Sequence, residues 1–161
     1  MGKDKTPMTP AVRVLRQAGV EFSEHPYQYV ERGGTATFAA QFEMDEHTVI
    51  KTLVMEDDAR RPFVVLMHGD REVSTKELAR ALGVKAIQPC SPETAQRHSG
   101  YMVGGTSPFG LRKEMPVYIE ETILQLPRIY INGGKRGFLV GLDPRELARV
   151  LKPTSVRVAI P

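Results

Sequence analysis

The sequence predicts an α/β protein of the α+β type, in which short helices surround a mixed or antiparallel sheet. About five helical segments are interspersed with about seven or eight short strands, and the strands do not alternate regularly with long helices. Several consecutive strands are separated only by tight turns, as in hairpins. Both observations favour a mixed or antiparallel sheet over a doubly wound parallel one.

The helices are predicted from capping residues and from apolar residues at helical spacing. Residues 74–82 give the clearest signal, because Ser74 and Glu77 are spaced as in a capping box and Gly83 can end the helix. The other predicted helices span residues 10–18, 35–42, 92–98 and 144–151.

Strands are predicted where β-branched, aromatic and other apolar residues lie between turn-forming residues. The polar residues 57–62 separate two such segments, 49–55 and 63–68, which are therefore expected to form a hairpin. The other predicted strands span residues 20–29, 84–88, 117–120, 128–131, 138–142 and 156–160.

The chain has 161 residues, which fits a single domain over 1–161, and residues 1–8 are expected to be a flexible lead-in. No segment approaches the roughly 18 consecutive apolar residues of a membrane span, and the N-terminus lacks the apolar stretch of a signal peptide. A cytoplasmic protein is therefore expected. The formal charge of +3 permits contact with a polyanion but does not require it.

Cysteine and histidine give no sign of a metal site. Cys90 is the only cysteine, which excludes an intramolecular disulfide, and no histidine lies near it in sequence. It is either an unreactive thiol or a nucleophile paired with a distant histidine, and the sequence leaves both interpretations open. The histidines are at no metal-binding spacing, and they are His25, His47, His68 and His98.

Lys51 lies in an apolar strand, where alternation places it on the same face as Val49 and Leu53. A lysine on such a face can be partly desolvated at a pocket, where it could act chemically. Alternatively, its stem packs on apolar neighbours while its ammonium group reaches water.

Two glycine-rich segments follow. In residues 104–110, adjacent glycines would let backbone amides approach a carbonyl oxygen, a carboxylate or a phosphate closely. A structural turn is the alternative. Residues 133–137 directly follow a strand, and the pairs Asn-Gly and Gly-Gly favour a hairpin turn there. Lys135 and Arg136 at this turn could meet phosphates.

In combination, these segments resemble the YbaK/EbsC family of deacylases associated with prolyl-tRNA synthetase. The resemblance extends from Thr9 to about Val158. It is carried by four motifs in a fixed order: His25-Pro26-Tyr27, Lys51-Thr52-Leu53, residues 101–110 and residues 130–137.

The resemblance implies a globular fold around a mixed, barrel-like sheet, similar to the editing insertion of bacterial prolyl-tRNA synthetases. It implies release of a mischarged amino acid from tRNA, typically cysteine from tRNA for proline, with the substrate's own thiol attacking its ester. The implied partner is aminoacyl-tRNA, with prolyl-tRNA synthetase as a second candidate. No cofactor, DNA or membrane partner is implied.

The resemblance also implies site residues. Lys51 is expected to be catalytic and to contact the 3′-terminal adenosine or the ester. The expected substrate-binding residues are Tyr27, Gly104, Gly105, Thr106, Ser107, Gly110, Asn132, Gly133 and Gly134.

Two other functions remain open at this point. The first is an editing factor that removes alanine or another small residue and shares the fold and Lys51. The second is a non-catalytic module that binds tRNA or a synthetase. The residues that line the pocket would decide between the substrates.

Overall fold

The computed structural model describes residues 6–161, so residues 1–5 of the expected lead-in lie outside the described residues. The helices are α1 Pro10–Gln17, α2 Gly34–Gln41, α3 Thr75–Leu82, α4 Pro92–Ser99 and α5 Pro144–Leu151. The strands are β1 Ser23–Pro26, β2 Val49–Asp57, β3 Pro62–His68, β4 Glu72–Val73, β5 Ile87–Pro89, β6 Val117–Glu120, β7 Ile129–Lys135, β8 Phe138–Leu142, β9 Thr154–Val156 and β10 Ala159–Ile160.

Eight strands form one sheet, whose main path has the order β1-β8-β7-β2-β3-β6-β9, with β5 also beside β2. Strands β4 and β10 pair separately. The pairs β2/β7, β3/β6 and β6/β9 are parallel. The other pairs are antiparallel, including the predicted β2/β3 hairpin. The predicted fold class, a mixed and largely antiparallel sheet with short helices, is confirmed.

The sheet carries apolar cores on both faces, and β3 contributes to two of them. Val64 and Leu66 pack in the cluster that includes α1 and α5. Phe63, Val65 and Met67 pack in the cluster that includes α3. A strand buried on both faces is apolar at every position, which explains the unbroken apolar run in the sequence.

The helix boundaries follow the capping chemistry closely. The Ser74 side chain accepts a hydrogen bond from the Glu77 amide at 3.2 Å, and Gly83 ends α3 in the left-handed conformation. The Thr9 hydroxyl caps α1 by accepting from the Val12 amide. The predicted helices are confirmed to within one or two residues at each end.

Three predicted strands are shorter or divided because the backbone finds other partners. The strand predicted over 84–88 becomes Ile87–Pro89, since the Val84 amide bonds to the Ala79 carbonyl at the end of α3. The strand predicted over 20–29 covers only Ser23–Pro26, since the Val20 amide bonds to the Leu15 carbonyl at the end of α1. The strand predicted over 156–160 is divided into β9 and β10. The buried Glu120 carboxylate accepts from the Val158 amide at 2.7 Å, at the break between them.

The strand predicted over 128–131 continues farther than expected, and the predicted turn at 133–137 is correspondingly shorter. Strand β7 extends to Lys135 through a bulge, and only Arg136 and Gly137 form the turn. The Asn132 side chain accepts from the amides of Gly134 and Lys135, which stabilises the bulge.

Within the described range, every helix is too short or too polar to cross a membrane.

We expect Gly69→Ala to destabilise the fold at the turn after β3. A Cβ at Gly69 would lie 2.7 Å from the Val49 carbonyl oxygen and 2.8 Å from the Glu46 carbonyl oxygen. These backbone atoms cannot move away without distorting the fold. We therefore expect a loss of about 2 kcal/mol in the free energy of unfolding. Urea denaturation measures it.

Gly83→Ala is the matched control, because it introduces a left-handed alanine with no atom within 4 Å of its Cβ. Its expected cost is about 1 kcal/mol. A Gly69→Ala protein as stable as the control or more stable would contradict the close packing of this turn.

Candidate active site

A cavity of about 760 Å³ runs along β2. The central residues of β2 form its floor, and four other segments contribute walls: the start of α2 with the loop before it, the β5–α4 junction, the loop after Tyr101, and the β7/β8 pair. The volume is within the range of about 300–1,000 Å³ typical of small-molecule sites.

The cavity exists because β2 changes partners along its length. Its parallel ladder with β7 ends at Ile50, and its antiparallel pairing with β5 begins at Met55. Between them, residues 51–54 have no strand partner on this side within the described chain. The Val54 carbonyl accepts from the Cys90 amide at 3.1 Å and so closes one end of the gap.

The unpaired stretch turns polar backbone groups towards the cavity. The Gly69 amide bonds to the Val49 carbonyl, so the peptide groups of Val49 and, by alternation, of Lys51 face β3. Those of Thr52 therefore point the opposite way, towards the cavity that it lines. An N–H and a C=O on an open strand edge are ready hydrogen-bonding groups for a ligand.

Lys51 lines the cavity, and its side chain is 21% exposed. The Lys51 ammonium donates to the Arg71 carbonyl oxygen at 2.5 Å, and it lies 3.3 Å from the Glu72 carboxylate. The side chain is therefore largely buried, while its charged group is tied to the turn between β3 and β4.

The loop 104–110 meets the cavity through Gly104 and Thr106. Gly104 lies so close to Tyr29 that a Cβ there would be 2.5 Å from the Tyr29 hydroxyl oxygen. The Gly105 amide already donates to the Met102 carbonyl at 2.8 Å, so it is occupied within the loop.

The remaining predicted glycine and serine positions do not line the cavity. Ser107 is fully buried and accepts from the Phe109 amide. The glycines pack closely against other parts of the fold: Gly105 on the β7–β8 turn, Gly110 on Pro10, Gly133 on Phe138 and Gly134 on Tyr101.

Tyr27 and Asn132 are brought to the cavity with Lys51 and Gly104. Asn132 connects two walls, because its side-chain amide donates to the Gly104 carbonyl at 3.2 Å while its oxygen holds the β7 bulge. The Tyr27 ring packs edge-on against Phe38. Burial, with a smaller effect of Tyr29, raises the pKa of Tyr27, so its hydroxyl is protonated at neutral pH.

The mouth of the cavity contains residues that were not among the predicted site residues. Arg136 places its guanidinium 5.1 Å from the centre of the Tyr29 ring, and its Nε donates to the Val103 carbonyl at 2.8 Å. Arg32 also lines the cavity. The sequence marked Arg136 only as a cation at a turn and gave no signal for Arg32 or for the contact with Tyr29.

Cys90 lines the cavity but is unsuited to nucleophilic attack. Burial, reinforced by the Glu56 carboxylate, raises the pKa of the Cys90 thiol to about 11. Its sulfur donates to Glu56 at 3.6 Å, and none of the described cavity-lining residues is a histidine. A thiol with this pKa is protonated near neutral pH, which favours the unreactive interpretation.

His47, His68 and Asp70 come together although the sequence gave them no metal spacing. Their potential ligand atoms lie within 4.8 Å of one another. The two imidazole rings, however, stack at 3.6 Å between centres and 7° between planes, so their in-plane lone pairs run parallel and do not converge. Both His68 nitrogens already have partners, in the His47 carbonyl and the Thr122 hydroxyl. The cluster is a hydrogen-bonded network.

Known proteins resemble this chain over most of its length. It is 31% identical over 149 residues, 91% of each chain, to the "Putative Cys-tRNA(Pro)/Cys-tRNA(Cys) deacylase EbsC" of Enterococcus faecalis. It is 27% identical over 94 residues to the proline–tRNA ligase of Brachyspira hyodysenteriae, matching 58% of this chain and 16% of the ligase.

The fold is also shared with a solved structure. The crystal structure described as that of "a putative trans-editing enzyme for prolyl tRNA synthetase" matches with a TM-score of 0.81 and 21% identity, covering 98% of this chain and all of that one. The model of the aminoacyl-tRNA editing domain matches residues 33–150, which include β2, the loop 104–110 and the β7–β8 turn. The chain therefore belongs to the aminoacyl-tRNA editing domain family, the YbaK family.

Proposed function

We propose that this chain is a trans-editing aminoacyl-tRNA deacylase that releases cysteine mischarged onto tRNA for proline. The observation that carries the proposal is the convergence of Lys51, Tyr27, Gly104 and Asn132 on one cavity beside the open edge of β2. Membership of the editing-domain family and the similarity to EbsC of E. faecalis support it.

The substrate would lie along the cavity, with its aminoacyl group and its terminal nucleotides contacting different residues. The aminoacyl group would approach the open edge of β2, where the Thr52 peptide groups can hydrogen-bond its amine or carbonyl. The terminal nucleotides would lie at the mouth, where Arg136 offers a cation and Tyr29 an aromatic ring. Guanidinium and aromatic groups are suited to phosphates and to unstacked bases.

The proposed reaction needs no protein nucleophile, because the ester is already activated. The cysteine sulfur attacks its own ester carbonyl, forming an S–C bond as the C–O bond to the ribose breaks. The thiol proton passes to the ribose oxygen, giving free tRNA and a cyclic thioester that water then hydrolyses. Lys51 would stabilise the developing negative oxygen, and the cavity would orient sulfur and carbonyl.

Substrate-thiol attack would also explain selectivity. A cavity distinguishes substrates that differ by one methylene only by about 1–3 kcal/mol. A serine or alanine ester lacks the attacking thiol, so the chemistry itself would exclude it.

We expect Lys51→Ala to lower kcat/KM for cysteinyl-tRNA deacylation by about 10²–10³-fold, because a preorganised donor to the developing oxyanion is lost. The measurement is release of labelled cysteine from cysteinyl-tRNA for proline. Lys76→Ala, on the exposed face of α3, is the control for a simple loss of charge.

No turnover by the wild-type protein would refute the proposed activity. If Lys51→Ala turns over substrate as fast as the wild-type protein, the proposed role of Lys51 is refuted and the proposed activity stands.

A panel of tRNAs carrying cysteine, serine, alanine and proline tests the thiol mechanism. We expect cysteine to be released preferentially, by more than the roughly 200-fold that size discrimination can provide. The ratio of kcat/KM values is the measurement. Comparable release of alanine would contradict the thiol mechanism and favour editing of another small residue. Binding of tRNA without release of any amino acid would indicate a non-catalytic module.

We expect Arg136→Ala to raise KM for aminoacyl-tRNA and to reduce the slope of log(kcat/KM) against log salt concentration by about 0.7, as for one phosphate contact on a single strand. Release from cysteine ethyl ester, which has no nucleotide, should change little. Lys135→Ala is the matched control, since Lys135 is the neighbouring cation and does not line the cavity. An equal effect of both substitutions would argue against a specific contact.

A further inference from the structure

The ammonium group of Lys51 is held by the turn that joins β3 to β4. Its strongest contact is the 2.5 Å hydrogen bond to the Arg71 carbonyl oxygen. The Glu72 carboxylate at 3.3 Å is 73% exposed, and an ion pair so open to solvent contributes little. Because an ammonium has three N–H donors, these two contacts leave one donor for the cavity.

Asp70 fixes the turn that carries the Arg71 carbonyl. One oxygen of Asp70 accepts from His47 Nδ1 at 2.8 Å, and the other accepts from Arg71 Nη1 at 2.8 Å. The Arg71 amide donates to the His68 carbonyl at 3.1 Å and closes the turn. These hydrogen bonds hold the turn in place and with it the Arg71 carbonyl.

His47 is itself held by His68. Its ring stacks on that of His68, which is only 1% exposed. His68 Nδ1 donates to the His47 carbonyl at 2.7 Å, and His68 Nε2 bonds to the Thr122 hydroxyl at 2.7 Å. Since a carboxylate only accepts, His47 Nδ1 carries the proton in its bond to Asp70.

These contacts form one continuous chain from the Thr122 hydroxyl, through two stacked imidazoles, Asp70 and Arg71, to the Lys51 ammonium. A lysine has a long flexible stem, so holding its charge at one point costs side-chain entropy at each turnover unless the protein has already fixed it. A rigid carbonyl anchor provides that preorganisation.

We propose that Asp70, held by His47, is a positioning residue for Lys51, and that it acts by fixing the Arg71 carbonyl. The proposal rests on the proposed function in one respect, because positioning has a catalytic consequence only if Lys51 acts on the substrate. Asp70 itself does not line the cavity.

The test compares Asp70→Ala and Asp70→Asn with the wild-type protein. We expect Asp70→Ala to lower kcat for cysteinyl-tRNA deacylation about tenfold with KM changed less than about twofold. Asp70→Asn keeps an oxygen that can accept from His47, so it should recover part of the loss. Asp57→Ala is the matched control, because Asp57 ties the β2–β3 turn through Arg61 and Ala59 without contacting Lys51.

A second readout does not depend on activity. Acetylation of Lys51 by acetic anhydride, quantified by peptide mass spectrometry in the folded protein, should become several-fold faster in Asp70→Ala and remain unchanged in Asp57→Ala. If wild-type protein turns over no aminoacyl-tRNA, the proposed function fails and the labelling rates still decide the positioning. If the acetylation rate of Lys51 and kcat in Asp70→Ala both equal the wild-type values, the positioning role of Asp70 is refuted. Equal effects of Asp57→Ala and Asp70→Ala would refute it as well.

Discussion

The candidate site depends on one constraint in strand pairing: β2 has a continuous partner on one side and two partial partners on the other. Pairing with β3 covers seven residues of β2, whereas the ladders with β7 and β5 leave a gap between Ile50 and Met55. The gap keeps a backbone edge open inside an otherwise packed sheet. Continuous pairing on both sides would satisfy those peptide groups and leave no floor for a ligand.

The same constraint explains why some features could be predicted from the sequence and others could not. Local signals sufficed for the β2–β3 hairpin and for α3, because the polar residues 57–62 and the Ser74 cap act on their immediate neighbours. The division of the last strand depends on Glu120, and the stacked pair of His47 and His68 depends on side chains that are 21 residues apart in sequence. No local pattern encodes such pairings.

The residues of the two glycine-rich segments do not all have the same role in the structure. Both were predicted as binding segments through the family resemblance, with a structural turn as the alternative. In the structure, neighbouring glycines serve different purposes. Gly104 lines the cavity, while Gly105 packs against the backbone at Lys135 and Arg136. Glycine is needed at Gly105 so that the loop can lie against the β7–β8 turn, and this packing brings Arg136 to the cavity mouth.

The positions of individual cations explain ligand binding by this molecule better than its net charge does. The net charge of +3 is too small to hold a nucleic acid strongly by itself, yet Lys51, Arg32 and Arg136 all line one cavity. Arg32 and Arg136 can meet a phosphate only near the mouth of the cavity. Lys51, in contrast, is fixed to the turn at Arg71. A few placed cations therefore suit a ligand with a charged, flexible end and a small reactive group, which is the chemistry of an aminoacylated 3′ terminus.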